Sequence, residues 1–307
     1  MGTSPEPTRG TEARRGTRRG EGGKLSRRKA PGKRSFKSSL AALDALAASG
    51  AQVSVRVTDL DSGEAVLVGD DYVTLPVAGL GVVPLLVEVA AQFESGELDP
   101  LELVEREGLE PVDIAGIWQH LKAPTLALVD LAVLAAASGD ALATNALLHR
   151  VGLPTVRARI EKLGLTRAAV MDGFRDRRGP DDAPHVALGS AREYSELFAA
   201  LVNSKAVSAG VSAQVSEWLS LNQDLSLVAS ATGLDPFAHF NDAHELLFVN
   251  KTGRDSGVRA EAGVLGGPRA GVAYAVIVCF DDLSISHRLR AHEALRTLGV
   301  ELMEYVF

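Results

Sequence analysis

The clearest period-two alternation of apolar and polar residues lies near the N-terminus, where Val53-Ser54-Val55-Arg56-Val57-Thr58 is followed by the turn residues Asp61-Ser62-Gly63 and then by Ala65-Val66-Leu67-Val68. This pattern predicts a β-hairpin. Near the C-terminus, residues 244–251, 257–265 and 272–280 read as three more strands separated by turns rich in Gly and Pro. Between these two groups the period changes, and helices are predicted at 84–95, 126–137, 141–151, 154–163, 191–203 and 212–220. A helix at 39–48 precedes the first strand and another at 286–298 follows the last, with Ser284 or Ser286 placed to cap it. Strands at both ends with helices between them predict an α+β fold: an antiparallel sheet flanked by terminal helices, carrying an inserted all-helical subdomain.

Composition agrees with a globular chain, since 46% of the 307 residues are hydrophobic and 23% charged. Residues 1–37 depart from it. They hold 12 Lys/Arg against 3 Asp/Glu and no apolar run, which predicts a disordered basic tail ahead of a folded domain at 38–307. That domain has 20 Lys/Arg against 36 Asp/Glu, a formal charge of −16. A basic arm could touch nucleic acid, but no aromatic interleaving or recognition motif accompanies it, so nucleic-acid contact is not expected. Contact with the acidic body and an inert extension are the other two readings of the arm.

No apolar core of about 7–15 residues follows a short basic region, and the Arg pairs at 14–15, 18–19 and 27–28 lead into no apolar segment, so a cytoplasmic location is expected. The apolar runs 77–91, with Glu88, and 126–137, with Asp130, fall short of the ~20 residues of a membrane span. Cys279 is the single cysteine and stands in an apolar strand pattern, which excludes an intrachain disulfide and points to core packing. The seven histidines make no metal-ligand spacing, so neither metal nor cofactor is expected.

Candidate chemistry begins at Lys251-Thr252-Gly253, after the apolar run Leu246-Leu247-Phe248-Val249. A Lys-Thr/Ser-Gly triplet at a strand edge is one of three signatures of penicillin-recognising serine enzymes, although a solvated lysine before a turn gives the same triplet. The segment from Leu75 to Val89 resembles the start of the buried central helix of class A β-lactamases, where the family reads Ala-Ser-x-x-Lys. Aligning Ala78 and Pro84-Leu85-Leu86 puts Gly79 at the serine and Val82 at the lysine. The segment Ser138-Gly139-Asp140-Ala141, with Asn145 as anchor, resembles the family's Ser-Asp-Asn signature. In this register Asp140 is kept, Gly139 replaces the serine and Ala141 the asparagine. A slip of one residue would bring in Ser138 and displace Asp140. Residues 176–193 are similar to the family's long loop, in which Asp176, Asp181 and Asp182 read as solvated and none is assigned as a deacylating group.

The chain thus resembles the serine β-lactamase-like family, class A β-lactamases and penicillin-binding-protein-type hydrolases, from about Phe36 to Phe307. The resemblance implies a sheet with a helical subdomain and a cleft between them where Gly79, Asp140 and Lys251 converge. With Gly79, Val82, Gly139 and Ala141 at the chemical positions, it implies a non-acylating homologue that binds a small amide or carboxylate ligand through Asp140, Lys251, Thr252, Gly253 and Arg254, beside Arg259. The alternative is an enzyme that uses Lys251, Asp140 and Ser138 for amide hydrolysis or for lyase or isomerase steps without a covalent serine. An ordinary β-lactamase or D-alanyl peptidase is a third reading. The ligand and the oligomeric state stay open.

Overall fold

A computed structural model of the chain describes residues 35–239 and 245–307. Residues 1–34 of the predicted 1–37 tail and the predicted strand start at His244 lie outside the described residues. The fold begins with α1 (Lys37–Ala48), β1 (Gln52–Asp59) and β2 (Ala65–Gly69). Phe36, read from the sequence as the end of the tail, is buried and stacks on Tyr305 at 5.9 Å, so the core reaches to the residue before α1.

After β3 (Leu75–Pro76) and a 3₁₀ turn at Ala78–Gly81, α2 (Val82–Ser95) runs through the centre of the molecule. Each residue from Val82 to Gln92 of α2 is buried, as expected of a helix apolar on all sides. The Ala78–Ser95 segment is long and apolar enough to cross a membrane, but 78% of it is buried inside the protein. Glu88, its one acid before the last turn, pairs with Arg159 at 2.5 Å and accepts from Gln92. This helix is therefore a core element by packing, a stronger ground than the length argument from the sequence.

Next come β4 (Leu103–Glu105), β5 (Thr125–Ala127), α3 (Leu128–Ala137), α4 (Ala141–Val151), α5 (Leu153–Lys162), β6 (Ala169–Val170) and β7 (Ala187–Gly189). The small pairings β4–β5 and β3–β7–β6 were not predicted, because strands of two or three residues carry no period. Two further helices, α6 (Ala191–Val202) and α7 (Ala209–Ser220), lead to β8 (Leu247–Asp255), β9 (Val258–Gly266), β10 (Gly271–Cys279) and α8 (Ile285–Val306).

The main sheet has the order β2-β1-β10-β9-β8, so β8 is an edge strand and the two ends of the sequence meet at the β1–β10 pair. Side chains alternate between two cores. Val55, Val57, Tyr274 and Val276 pack with α1 and α8, while Ala262, Val264, Ala275 and Ile277 face the helical layer built around α2. Helix α8 runs eight residues past its expected end at 298, and the extension is structural: Glu301 accepts from Ser38 N at 3.0 Å and Ser39 N at 2.9 Å, closing the N-terminus of α1. Cys279, at the end of β10, is half-buried rather than fully enclosed, and burial pushes its thiol up to about 12.

Candidate functional site

The 3₁₀ turn before α2 lies against edge strand β8, and two glycines permit the approach. A Cβ placed on Gly79 would sit 2.7 Å from the Thr252 carbonyl oxygen and 3.5 Å from the Gly253 Cα. A Cβ on Gly253 would collide with the Val77 carbonyl oxygen. The contact is therefore backbone on backbone, with no room for a side chain at either position. Ala78, in between, has φ 47°, a left-handed conformation that a non-glycine residue adopts only when its surroundings enforce it. Val82 opens α2 and is buried in the helical core.

The α3–α4 joint supplies the second wall. Ser138 ends α3 and donates its hydroxyl to the Leu134 carbonyl at 2.9 Å, one turn back on its own helix. Gly139 turns the chain at φ +64°, and Asp140 caps α4 by accepting from Ala143 N at 2.9 Å. The other Asp140 oxygen accepts from Ile117 N at 2.7 Å and Trp118 N at 2.8 Å. With its side chain enclosed and three backbone N–H groups on it, Asp140 holds the 117–118 turn to α4. Its carboxylate thus faces the protein backbone, where the sequence suggested a ligand group. Ala141, the first residue of α4, is buried.

Lys251 lies in the middle of β8, not at the end of its strand as the sequence suggested. Its Nζ donates to the carbonyls of Ala135 at 2.9 Å and Ala136 at 2.8 Å. These belong to the last turn of α3, where unpaired carbonyls and the helix dipole favour a cation. Only 2% of Lys251 is exposed. Burial draws its pKa down to about 8, partly opposed by the charge of Asp224. A Cβ on Gly139 would lie 3.7 Å from the ammonium. The three marked segments therefore do meet, Gly79 on Thr252 and Gly139 on Lys251. Arg254 does not join them: it is engaged by Asp224 at 2.7 Å on the exposed end of the strand.

Two features escaped the sequence reading. Asn145 accepts from Phe174 N at 2.7 Å and donates to Phe174 O at 2.8 Å, fastening the long loop to α4. In that loop Asp176 accepts from Asp113 N at 2.8 Å and Ile114 N at 3.1 Å, and Asp182 accepts from Gly179 N at 2.7 Å, so neither is simply solvated. The second is Glu261 on β9, fully buried on the sheet face opposite Lys251. It accepts from Val228 N, Ala229 N, Asn250 Nδ2 and the Tyr274 hydroxyl at 2.9, 3.2, 3.0 and 2.7 Å. Burial nevertheless raises it to about 7, against the pull of those hydrogen bonds. The available signal was an acid inside the apolar strand pattern of 257–265. Among the described residues, no group of three or more His, Cys, Asp and Glu is arranged to hold a metal ion.

Comparison with known proteins identifies the fold. The sequence model of the Beta-lactamase enzyme family matches residues 35–306. The structure is similar to the beta-lactamase from Sphaerobacter thermophilus DSM 20745, with a TM-score of 0.76 at 20% identity over 88% of this chain and 97% of that one. It is similar to PBP-A, with a TM-score of 0.72 at 17% identity over 88% and 95% of the two chains. A class A beta-lactamase from Mycobacterium abscessus gives 0.70 at 16% identity over 86% and 98%. At such identities the likeness is one of fold. No curated protein matches the chain.

Proposed function

The chain belongs to the beta-lactamase enzyme family, and on that premise we propose that it is a non-acylating member whose Lys251 edge takes a small amide or carboxylate ligand. The space at Gly79 carries the proposal. Acyl transfer on this scaffold needs a nucleophilic oxygen with a base beside it. In the register set by Ala78, the nucleophile's place is a glycine whose absent side chain would meet the Thr252 carbonyl at 2.7 Å. The lysine's place is Val82, buried hydrocarbon. Ser138, the shifted-register candidate, has its hydroxyl bonded back to Leu134.

The ligand half of the proposal rests on charge. The Lys251 ammonium faces two carbonyls, and among the described residues no carboxylate lies within ion-pair distance of it. A ligand anion would supply the missing countercharge, with Thr252 and Gly253 forming the adjacent backbone edge. The lowered pKa of about 8 also gives the free amine some population near neutral pH, the property a general base requires. Asp140, occupied by three N–H groups, offers that base no acidic partner, which favours binding over turnover.

Intact-protein mass spectrometry after incubation with a penicillin-type acylating probe tests the first half. The expected mass is that of the unmodified chain. A stoichiometric adduct overturns the reading, and its mapping to Ser138 would select the shifted register. Calorimetry with a carboxylate-bearing β-lactam tests the second half, with affinity expected to fall about tenfold or more in Lys251→Ala and Thr252→Val. Equal binding by all three proteins, or none at millimolar ligand, removes the ligand half alone.

A further inference from the structure

A separate site lies where segment 222–231 faces α8, on the side of the sheet away from Lys251. A groove of about 530 Å³ opens there, with Ser226 and Ser230 on one wall and Arg290, His292 and Arg296 of α8 on the other. Arg254 reaches the Ser226 hydroxyl as well as Asp224. Arg259 donates its Nε–H to His292 Nε2 at 3.3 Å, which requires a lone pair on that nitrogen and so a neutral imidazole.

The charges here are crowded. Burial, then Arg254 and Arg259, hold His292 below its ordinary pKa, and burial, then Arg254 and Arg288, lower Arg259. Of the 20 Lys/Arg in the acidic body, Arg290 and Arg296 line the groove, and Arg254, Arg259 and Arg288 act on one another around His292 at its side. Asp224 answers the charge of Arg254. Among the described residues no carboxylate lies within ion-pair distance of the other four, although Glu293 also lines the groove. Asp224 and Asp255 offset part of the charge at Arg259, and Asp282 part of that at Arg290; the guanidinium groups crowded beyond that offset raise the free energy of the empty groove, and an anion lowers it.

We propose that this groove binds a compact dianion of the phosphate-monoester type. Its oxygens would lie against Arg290 and Arg296, which line the groove; the Ser226 and Ser230 hydroxyls are already donated to Asp224 and to the Leu227 carbonyl, and they shape the opposite wall. A carboxylate has one charge and two oxygens, too few for this set of forked donors, whereas a tetrahedral phosphate offers acceptors in several directions. An extended polyanion fits less well. Charges are felt over about 8 Å at physiological salt, so an extended strand would meet a body of formal charge −16, while a small dianion would sense the groove alone. This site shares no residue with the Lys251 edge and stands independently of the acylation question.

Calorimetry at physiological salt with phenyl phosphate, inorganic phosphate and benzoate tests the inference. Phenyl phosphate should bind at least about tenfold more tightly than benzoate, and the exposed double change Arg290→Gln with Arg296→Gln should weaken it about tenfold. Arg269→Gln, in the distant β9–β10 turn, should bind as wild type. The wild-type ligand comparison needs no variant to fold, and circular dichroism checks the fold of the double variant. Equal affinity for phenyl phosphate and benzoate, undiminished binding by a folded double variant, or an equal loss in Arg269→Gln would overturn the proposal. Displacement of phenyl phosphate by a single-stranded oligonucleotide at lower concentration would overturn its restriction to compact anions.

Discussion

Lys251 and Glu261 stand on neighbouring strands, where Lys251 pairs with Ala262 and Glu261 with Thr252, yet they face opposite sides of the sheet. Both are buried charges with displaced pKa values, and they are satisfied differently. Lys251 gives two hydrogen bonds to helix carbonyls and keeps a third donor. Glu261 receives four, two from backbone N–H groups and two from side chains, and its partner Asn250 is itself fixed by Asn222 at 2.8 Å. The acid closes a complete network between the sheet and the segment beneath α8, whereas the buried lysine is held by two carbonyls alone. Complete satisfaction makes Glu261 a structural tie, and the proposed ligand contact rests on the donor that Lys251 keeps.

The largest break in this comparison is expected from Glu261→Ala. It strands four buried donors, and a loss of about 3–5 kcal/mol in urea unfolding is expected, with Glu261→Gln clearly milder. A loss no greater than that of an ordinary surface change would mean the network is not closed. Lys251→Met should cost less, about 1–3 kcal/mol, because it leaves two carbonyls unpaired but also removes a desolvated charge. If Lys251→Met is as damaging as Glu261→Ala, the contrast between the two sites fails.

Stability against pH sharpens the pair further. For Glu261, raised from 4.5 to about 7, the folded state holds more protons between those values, so stability rises as pH falls from 7 towards 4.5. For Lys251, lowered from 10.5 to about 8, the unfolded state holds more protons, so stability rises as pH climbs from 8 towards 10.5. These two contributions therefore leave a minimum between pH 7 and 8. In unfolding series across pH, the difference between wild type and Glu261→Gln should carry the acid limb and that between wild type and Lys251→Met the alkaline limb. A flat difference for either variant denies its assignment. The smallest effect is expected from deleting residues 1–33, which carry no apolar run: the thermal midpoint should stay within scatter, and a drop of several degrees would give the arm a structural role.

Much of the fold was legible. Alternation gave β1, apolar runs bounded by turn residues gave β2, β9 and β10 to within a residue or so, and α2 to α7 were found from the longer apolar and amphipathic stretches between them. What stayed hidden depends on partners far away in sequence. Arg254 reads as a free cation until Asp224, 30 residues back, is seen to hold it. Asp140 is different, since an acid directly before a helix is a cap signal, and the family register drew attention from it. Glu261 could have been noticed as an acid among Ala and Val, but its donors come from three separate segments. Segment convergence at Gly79 and Lys251 followed from the resemblance, while the lack of room at Gly79 is visible only in three dimensions.

The meeting of Gly79 with the Thr252 carbonyl also bears on the order in which changes can accumulate. A serine introduced at 79 has to displace the backbone of β8, which β9 holds along its whole length. The mutation is therefore epistatic: its effect depends on whether the strand has already moved. Sequence distance counts a serine at 79 as one substitution, but the accessible path to it is longer. Any route toward a side chain at 79 passes first through substitutions that widen the gap, and those bring no chemistry of their own.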